Sequence, residues 1–347
     1  MKVNGTPYRT VWRDGTTVFL IDQPLLPHRF EIAKFPRHED TARAITTMVT
    51  RGAGAIGAAA GHGMAQVALE APDSGFEAYV RAGAKRLENT RPTAQDLFYA
   101  VQRVMAACLK ALPDVAAARH AACREADTYA EENYAAGEQI GIVGAPLMVR
   151  RDGGPGPVRI VTHCNAGWLA FVDWGSALSP IYRAHRDGKE VFVWVDETRP
   201  RGQGARLTAW ELAQEGVPHA LIADTATGYY MAKGEVDLVI VGADRIARNG
   251  DVANKIGTYT RAEVANALGI PFYVAAPTST IDPDCADGTL IPIEERDEEE
   301  VTWVRGVNDA GELTRVRITG EGTRARNPAF DVTPNRLIKG IITEVGV

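Results

Sequence analysis

Several features are absent or scarce in this chain of 347 residues, and each absence excludes a class of protein. No apolar run approaches the ~20 residues that cross a bilayer, so we expect no membrane span and no membrane partner. The first residues, MKVNGTPYRTVWRDG, contain no apolar stretch typical of a secretory signal. The net charge is −6, and this acidic balance argues against nucleic acid as a partner.

Cysteine is scarce, and its spacing is uninformative. The four cysteines, Cys108, Cys123, Cys164 and Cys285, form no CxxC pair and match neither a disulfide framework nor a zinc site. A reducing, cytoplasmic location fits this usage best. No metal-ligand cluster, nucleophile elbow or P-loop lysine is found, so we expect neither a metal nor a cofactor.

The remaining composition, 45% hydrophobic and 24% charged, is that of a folded globular protein, and the length suggests two domains. The N-terminal part is rich in alanine, and its apolar residues recur at intervals of three and four, which predicts helices. The predicted helices cover residues 41–50, 57–70, 76–88, 94–112 and about 116–140. Pro72, Pro92 and Pro113 separate four of them, as helix breakers do.

The C-terminal part has a different pattern, in which short apolar runs alternate with helical stretches such as 167–185, 207–215 and 255–268. The runs cover residues 158–162, 191–195, 220–223, 238–241 and 272–275. Continuous apolar strands of this kind predict a parallel sheet that is buried on both faces. The expected fold class is therefore α/β, with a small, mainly helical N-terminal domain (1–128) and a Rossmann-like, doubly wound C-terminal domain (129–347). The acidic segment 294–300, EERDEEE, is interpreted as a solvated loop or helix start.

Polar residues follow several of the predicted strands, where an open parallel sheet binds its ligands. His163-Cys164-Asn165 follows the first run, and Gly242-Ala243-Asp244-Arg245 follows the fourth. Thr198 and Asp224 follow two others, and helix capping is enough to explain both. Capping explains neither the cysteine nor the Asp-Arg pair, so we expect catalysis at this edge of the sheet.

Cys164 and Asp244 are the strongest catalytic candidates. A helix starting after Cys164 would lower the pKa of its thiol and favour the thiolate, whereas His163 points to the opposite face and is expected to pack. Burial of Asp244 in a crevice should raise the pKa of its carboxyl group, as a general acid requires. An ion pair of Asp244 with Arg245 or Arg248 is the alternative, and it would lower that pKa.

Three other segments suggest an anionic ligand. The sequence from Gly52 to Gly57 satisfies GxGxxG, but it follows a predicted helix, so we reject a dinucleotide site. With Arg51, this loop could instead hold a phosphate at a helix start, or its glycines could allow close helix packing. The loops 91–93 and 197–206 are rich in arginine, and Asn254-Lys255 is expected to open a helix, where anions bind.

Four longer strings carry a resemblance that covers nearly the whole chain: THCNAGWLA, ETRPRGQGARLTAWEL, GADRIARNGDVANKIGTY and RNPAFDVTP. They resemble the methylthioribose-1-phosphate isomerase family, which is related to the regulatory subunits of translation initiation factor 2B. The resemblance implies a homodimer that converts the sugar phosphate 5-methylthioribose 1-phosphate to its ketose in methionine salvage, without a cofactor. It implies that Cys164 is the catalytic cysteine and Asp244 the proton donor. The substrate-binding residues that it implies are Arg51, Gly52, Ala53, Arg91, Gln203, Asn254 and Lys255.

The chain departs from the family pattern beside some of these motifs. Gly54 replaces a common proline, Gln95-Asp96 replaces Val-Asn, and Gly202 replaces a leucine. These changes leave open an isomerase of 5-deoxyribose 1-phosphate or one of broad specificity. A ribose 1,5-bisphosphate isomerase and a non-catalytic regulatory protein of the initiation-factor type are further alternatives.

Overall fold

Five helices make up most of the first 144 residues in the computed structural model, which describes residues 1–91 and 94–347. They are α1 (His38–Thr46), α2 (Ala53–Glu70), α3 (Phe76–Glu88), α4 (Gln95–Lys110) and α5 (Val115–Gly144). All five predicted helices are thus confirmed, although α2 begins four residues before the predicted start at 57. Pro92 and Thr93 of the predicted arginine-rich loop lie outside the described residues.

Helix α2 lies at the centre of this helical part and is buried on nearly every side. Its alanines and glycines let the neighbouring helices approach closely. At Gly57, for example, a Cβ atom would lie 2.4 Å from the Tyr129 hydroxyl of α5. The glycines at 54 and 57 therefore serve helix packing, one of the two roles that the sequence left open for this loop.

Short strands precede the helices. β1 (Lys2–Val3) pairs with β2 (Thr6–Pro7), and the strands β3 (Val11–Asp14), β4 (Thr17–Ile21) and β5 (Ile32–Phe35) form an antiparallel sheet. Val18 and Leu20 of β4 are buried in the core of the helical part. This sheet covers one side of α2.

The C-terminal part contains a parallel sheet of six strands, which confirms the predicted Rossmann-like fold. Its strands are β6 (Val158–Thr162), β7 (Val191–Asp196), β8 (His219–Ile222), β9 (Leu238–Val241), β12 (Phe272–Ala275) and β17 (Gly340–Ile342). Their order is β17-β12-β9-β6-β7-β8. The chain starts at β6, proceeds outward to β8 and then returns to β9 on the other side of β6, so the strand order reverses between β6 and β9.

The five predicted strands of this sheet are confirmed, and the sixth, β17, was missed because it is short and begins with a glycine. The helices of this part are α6 (Ser179–Arg186), α7 (Ala209–Gln214), α8 (Ala226–Ala232), α9 (Thr258–Ala267) and α10 (Glu299–Thr302). The helix predicted over 167–185 is mostly wrong. Apart from a 3-10 turn, Trp168–Ala170, this segment is irregular until α6, because buried side chains satisfy its backbone.

A second, smaller sheet was not predicted. It consists of β10 (Arg245–Ala247), β11 (Val252–Lys255), β13 (Ile281–Asp282) and β16 (Phe330–Thr333), and a separate hairpin pairs β14 (Trp303–Val307) with β15 (Leu313–Arg317). The prediction that Asn254 and Lys255 open a helix is wrong. Both lie in β11, opposite Asp331 and Phe330 of β16, and α9 begins only at Thr258.

The predicted domain boundary at residue 128 falls within α5, which continues without interruption to Gly144. The boundary therefore stays a prediction. Within the described ranges, no helix combines the length and the apolar character needed to cross a membrane.

The contribution of the unforeseen strand β17 can be measured. Ile342 is fully buried, so Ile342→Ala should lower the free energy of unfolding by about 2–5 kcal/mol through lost burial and a new cavity. Val345→Ala is the matched control, because Val345 is 81% exposed. Truncating its side chain should change the free energy of unfolding by less than about 0.5 kcal/mol. Urea denaturation of both variants measures the difference. Equal stabilities would show that β17 adds nothing to the sheet.

Candidate active site

The reversal of strand order between β6 and β9 places two reactive side chains side by side. Ile160 of β6 lies opposite Leu238 of β9, so the two strands end at the same edge. Cys164 follows β6 by two residues, and Asp244 follows β9 by three. Crevices at such reversals are where open parallel sheets bind ligands.

One cavity at this edge is lined by all nine residues that the family resemblance implied as catalytic or substrate-binding. They are Arg51, Gly52, Ala53, Arg91, Cys164, Gln203, Asp244, Asn254 and Lys255. The start of α2 forms one wall, and the carboxyl ends of β6 and β9 with strand β11 form the others. Their shared position supports a common site, while the individual roles stay predictions.

Cys164 is held in an unusual backbone conformation. Its φ of +66° lies in the left-handed region, where residues with side chains are strained. Its amide donates to Thr198 Oγ1 over 2.8 Å, and Thr208 Oγ1 donates to its carbonyl over 2.6 Å. These two threonines, which sequence reasoning did not connect with the cysteine, hold the backbone that carries the thiol.

The predicted thiolate character of Cys164 is wrong. Burial raises the pKa of the thiol, although the positive charges of Arg51 and Lys255 act in the opposite direction. The prediction assumed a helix start at this point, but the next regular element is the 3-10 turn at Trp168. His163 is buried as expected, with its ring nitrogens 2.9 Å from Asp196 Oδ2 and 2.8 Å from the Ile256 carbonyl oxygen, but it also lines the cavity.

Asp244 behaves as the sequence predicted. Burial raises the pKa of its carboxyl group, opposed by the nearby charges of Lys255, Arg296, Arg91 and Arg51. Arg245, which was considered as an ion-pair partner of Asp244, has its Nη1 atom 3.2 Å from Asp282 Oδ2. A raised pKa is the direction of shift that favours a carboxyl group as a proton donor.

Arg51 connects the helical part to the sheet. Its Nη1 atom donates to the Asn165 carbonyl over 2.9 Å, Nη2 donates to the Asn165 side chain, and Nε donates to Gln23 Oε1 over 3.2 Å. The next residue, Gly52, has a φ of +89°, and a Cβ there would lie 2.4 Å from that of Ala170. Only glycine fits this close approach. Gly52 and Ala53 both line the cavity, whereas Gly54 and Gly57 pack against neighbouring side chains.

The opposite wall is formed by buried polar residues. Lys255 Nζ donates to the Ala329 carbonyl over 2.6 Å and lies 4.7 Å from the centre of the Phe330 ring. Burial lowers the pKa of Lys255 to about 8. Gln203 Oε1 is buried and accepts no hydrogen bond from any described residue, and a π-helical turn, Gly204–Thr208, follows it. Such turns often occur at functional sites.

Glu211 on α7 fixes the loop between β6 and α6. This fully buried carboxyl group accepts hydrogen bonds from the backbone amides of Trp168 and Leu169 and from the side chains of Asn165 and Tyr182, over 2.8 to 3.0 Å. Burial raises its pKa to about 7, and these donors act in the opposite direction. Sequence reasoning missed Glu211, since it lies inside a helix and far from the loop in sequence.

Several lining residues were also missed, notably Met48, Ser176, Arg296 and Phe330, whereas Arg201, which also lines the cavity, belongs to the predicted arginine-rich loop. The interpretation of 294–300 as a solvated segment is wrong in part. Arg296 lines the cavity, and Glu300 accepts a hydrogen bond of 2.6 Å from Arg201. The run of acidic residues concealed these contacts, because a charge run is usually a solvated surface.

Within the part of the chain that the structure describes, one group has suitable atoms for a metal ion: His163, Asp196 and Asp224. The guanidinium group of Arg261 already provides the positive charge there. Its Nε lies 2.6 Å from Asp196 Oδ2 and its Nη2 lies 3.3 Å from Asp224 Oδ1. This group is therefore a buried ion-pair network that supports His163.

Comparison with known proteins agrees with this geometry. The model of the initiation factor 2 subunit family matches residues 49–347. The chain belongs to this family. Among solved structures, it is similar to 5-methylthioribose 1-phosphate isomerase from Pyrococcus horikoshii OT3, with a TM-score of 0.86 and 42% identity over 98% of this chain and 92% of that one.

Other members of the initiation factor 2 subunit family show the same likeness. Two proteins named methylthioribose-1-phosphate isomerase, from Methylocella silvestris and Acidiphilium cryptum, are 51% and 50% identical to this chain. Each match covers the whole of this chain and 95% or 94% of the relative. The translation initiation factor eIF-2B subunit delta from A. fulgidus has a TM-score of 0.81 and 39% identity, over 98% of this chain and 95% of that one. Proteins with this fold thus include both named isomerases and a named translation initiation factor. The function of this chain must therefore be argued from its site.

The raised pKa of Glu211 predicts a pH dependence of stability. A carboxyl group whose pKa is higher in the folded state contributes stability that is complete below its unfolded pKa and is lost as pH rises through the folded value. That window extends from about pH 4.5 to about pH 7. Glu211→Gln cannot titrate, so from pH 4.5 to pH 8 its stability should rise relative to wild type by about 3 kcal/mol.

Urea denaturation at both pH values measures this change. Glu321→Gln is the control, because Glu321 is exposed and its difference from wild type should not depend on pH. A difference between Glu211→Gln and wild type that stays constant with pH would show that the carboxyl group does not titrate in this window.

Proposed function

We propose that the chain is an aldose–ketose isomerase that converts 5-methylthioribose 1-phosphate to 5-methylthioribulose 1-phosphate in methionine salvage. The observation that carries this proposal is the pairing of Asp244 and Cys164 in one cavity with several buried cations. An acid and a thiol beside an anion-binding surface fit the chemistry of a phosphorylated sugar. The relatives named for this activity support the same substrate.

The phosphate on C1 explains why an acid is required. It locks the sugar as a ring, so the aldehyde cannot form by simple opening. In the proposed mechanism Asp244 donates its proton to the ring oxygen as the bond from that oxygen to C1 breaks. Burial raises the pKa of Asp244, which is the direction of shift that a general acid requires.

A hydrogen must then move from C2 to C1, and two routes are possible. In one, Cys164 removes the C2 proton to form an enol, which is reprotonated at C1. In the other, a hydride moves directly from C2 to C1, and Cys164 stabilises the transition state. In both, the hydroxyl on C2 loses its proton to the Asp244 carboxylate and becomes the ketone, so no redox cofactor is needed. The raised pKa of the thiol favours the hydride route.

The cations have a separate task in this proposal. Arg51, Arg91 and Lys255 bind the phosphate, and the backbone of Gly52 and Ala53 brings the start of α2 close to it. Gln203 and Asn254 bind sugar hydroxyl groups. Gln203 Oε1 is buried and accepts no hydrogen bond from any described residue, so a sugar hydroxyl can donate to it. Holding the substrate in this way places C1 and C2 beside the thiol.

Substitution of the two reactive groups tests the mechanism. Cys164→Ser and Asp244→Asn should each lower kcat by at least about 100-fold, because each removes a group that acts on the reacting atoms. Both should keep the thermal stability and the substrate affinity of the wild type within a few-fold. Cys123→Ser on α5 and Asp187→Asn after α6 are matched controls that should turn over normally. Near-normal rates for Cys164→Ser and Asp244→Asn would disprove the assigned roles.

The substituent on C5 is tested with two substrates. The purified protein is incubated with 5-methylthioribose 1-phosphate or 5-deoxyribose 1-phosphate, and loss of the anomeric proton is followed by NMR. We expect much faster turnover of the methylthio sugar. Equal or faster turnover of the deoxy sugar would favour the alternative substrate, and no ketose from either would favour a regulatory protein. In D2O, deuterium at C1 indicates the enol route, and its absence indicates the hydride route.

We also propose a cytoplasmic homodimer. The edge strand β8 supports the dimer, because Leu221 on this strand is 51% exposed and the nearby Tyr229 is 56% exposed, and exposed apolar side chains favour association. The cytoplasmic location rests on the cysteine spacing alone. Sedimentation equilibrium that gives a monomer at micromolar concentration would contradict the dimer.

A further inference from the structure

Arg296 reaches the cavity from a segment whose sequence does not suggest a site. Its side chain is 8% exposed, and it lines the same cavity as Asp244, Arg91 and Lys255. Its backbone amide donates to the Asn327 carbonyl over 2.9 Å. The residue is thus fixed at its backbone and directs a charged group into the site.

The guanidinium group of Arg296 is held on one side. Nη2 donates to Glu294 Oε2 over 3.2 Å, and Nε lies 3.1 Å from Glu294 Oε1 but is poorly aligned for a hydrogen bond. Nη1 donates to no described residue. Glu294 therefore orients the guanidinium group and leaves part of it available, as bidentate recognition of an anion requires.

The surrounding positive charges are incompletely paired and therefore favour an anion. Arg51 and Lys255 donate to neutral oxygens of Asn165 and Ala329, and Arg91 Nη1 is buried and donates to no described residue. The Arg296 guanidinium carbon and Lys255 Nζ lie 5.4 and 4.7 Å from the centre of the same Phe330 ring. The positive charge of Arg296 also helps to lower the pKa of Lys255, so the two cations act on one another. Buried charges without partners are costly, and a phosphate group would neutralise them.

We propose that Arg296 is a further substrate-binding residue, which contacts the phosphate of the substrate together with Arg91 and Lys255. This inference rests on the proposed function for the identity of the sugar. The binding of phosphate by Arg296 does not depend on the proposed function. Glu294 and Asn327 are positioning residues, since they act through Arg296.

Calorimetric titration with inorganic phosphate tests the contact without turnover. Arg296→Gln should bind phosphate at least about tenfold more weakly than wild type, because a charge-assisted hydrogen bond is lost. Arg296→Lys keeps the charge and should retain part of the affinity, and it serves if the glutamine variant fails to fold. Arg324→Gln is the matched control, because Arg324 pairs with Glu298 on the surface and its side chain is 87% exposed. It should bind phosphate as the wild type does.

Steady-state kinetics separates binding from an indirect effect on Asp244. We expect Arg296→Gln to raise KM for the sugar phosphate at least about tenfold while kcat changes little. A shifted pH profile of kcat with KM unchanged would overturn the inference, since Arg296 would then act through the acidity of Asp244. Unchanged phosphate affinity in Arg296→Gln, or no phosphate binding by the wild type, would also overturn it.

The two proposals fail separately. If phosphate binding depends on Arg296 but neither sugar is converted to a ketose, the inference stands and the proposed function fails. If both sugars are converted and neither phosphate affinity nor KM depends on Arg296, the function stands and the inference fails.

Discussion

A single buried carboxyl group, that of Glu211, holds the loop on which the candidate active site depends. It accepts hydrogen bonds from the backbone of Trp168 and Leu169 and from Asn165. Asn165 in turn accepts hydrogen bonds from Arg51 at the start of the loop before α2. Because buried donors without an acceptor cost free energy, this chain of contacts fixes the loop beside Cys164 and joins the helical part to the sheet.

Burial also sets the electrostatics of the cavity. It raises the pKa of Cys164 and Asp244 and lowers that of Arg51, Arg91 and Lys255. Charged forms are disfavoured in every case, since water is excluded from their surroundings. The cavity thus combines an acid and a thiol whose pKa values are raised with cations that are incompletely paired. A phosphorylated sugar supplies what is missing, namely a negative charge and an oxygen atom that accepts a proton.

The parts of the fold that the sequence predicted are those with a local signal. Strands β6, β9 and β12 were predicted with the bounds observed, because strands buried on both faces are continuous apolar runs. Strand β11 was mistaken for a helix start, because its polar residues Asn254 and Lys255 do not alternate as in an ordinary strand. Its pairing with β16, some 75 residues later, decides its structure, and no local pattern contains that information.

The sequence by itself determined the five N-terminal helices, five of the six strands of the main sheet and the positions of Cys164 and Asp244 at strand ends, because the rule for parallel sheets depends on strand order and position alone. The tertiary structure decided the rest. It removed the helix expected after Cys164 and so reversed the expected shift in the pKa of its thiol. It also brought Glu211 and Arg296 to the site from segments that looked ordinary. Burial and hydrogen-bond partners depend on residues that are distant in sequence, whereas periodicity reports only on neighbours.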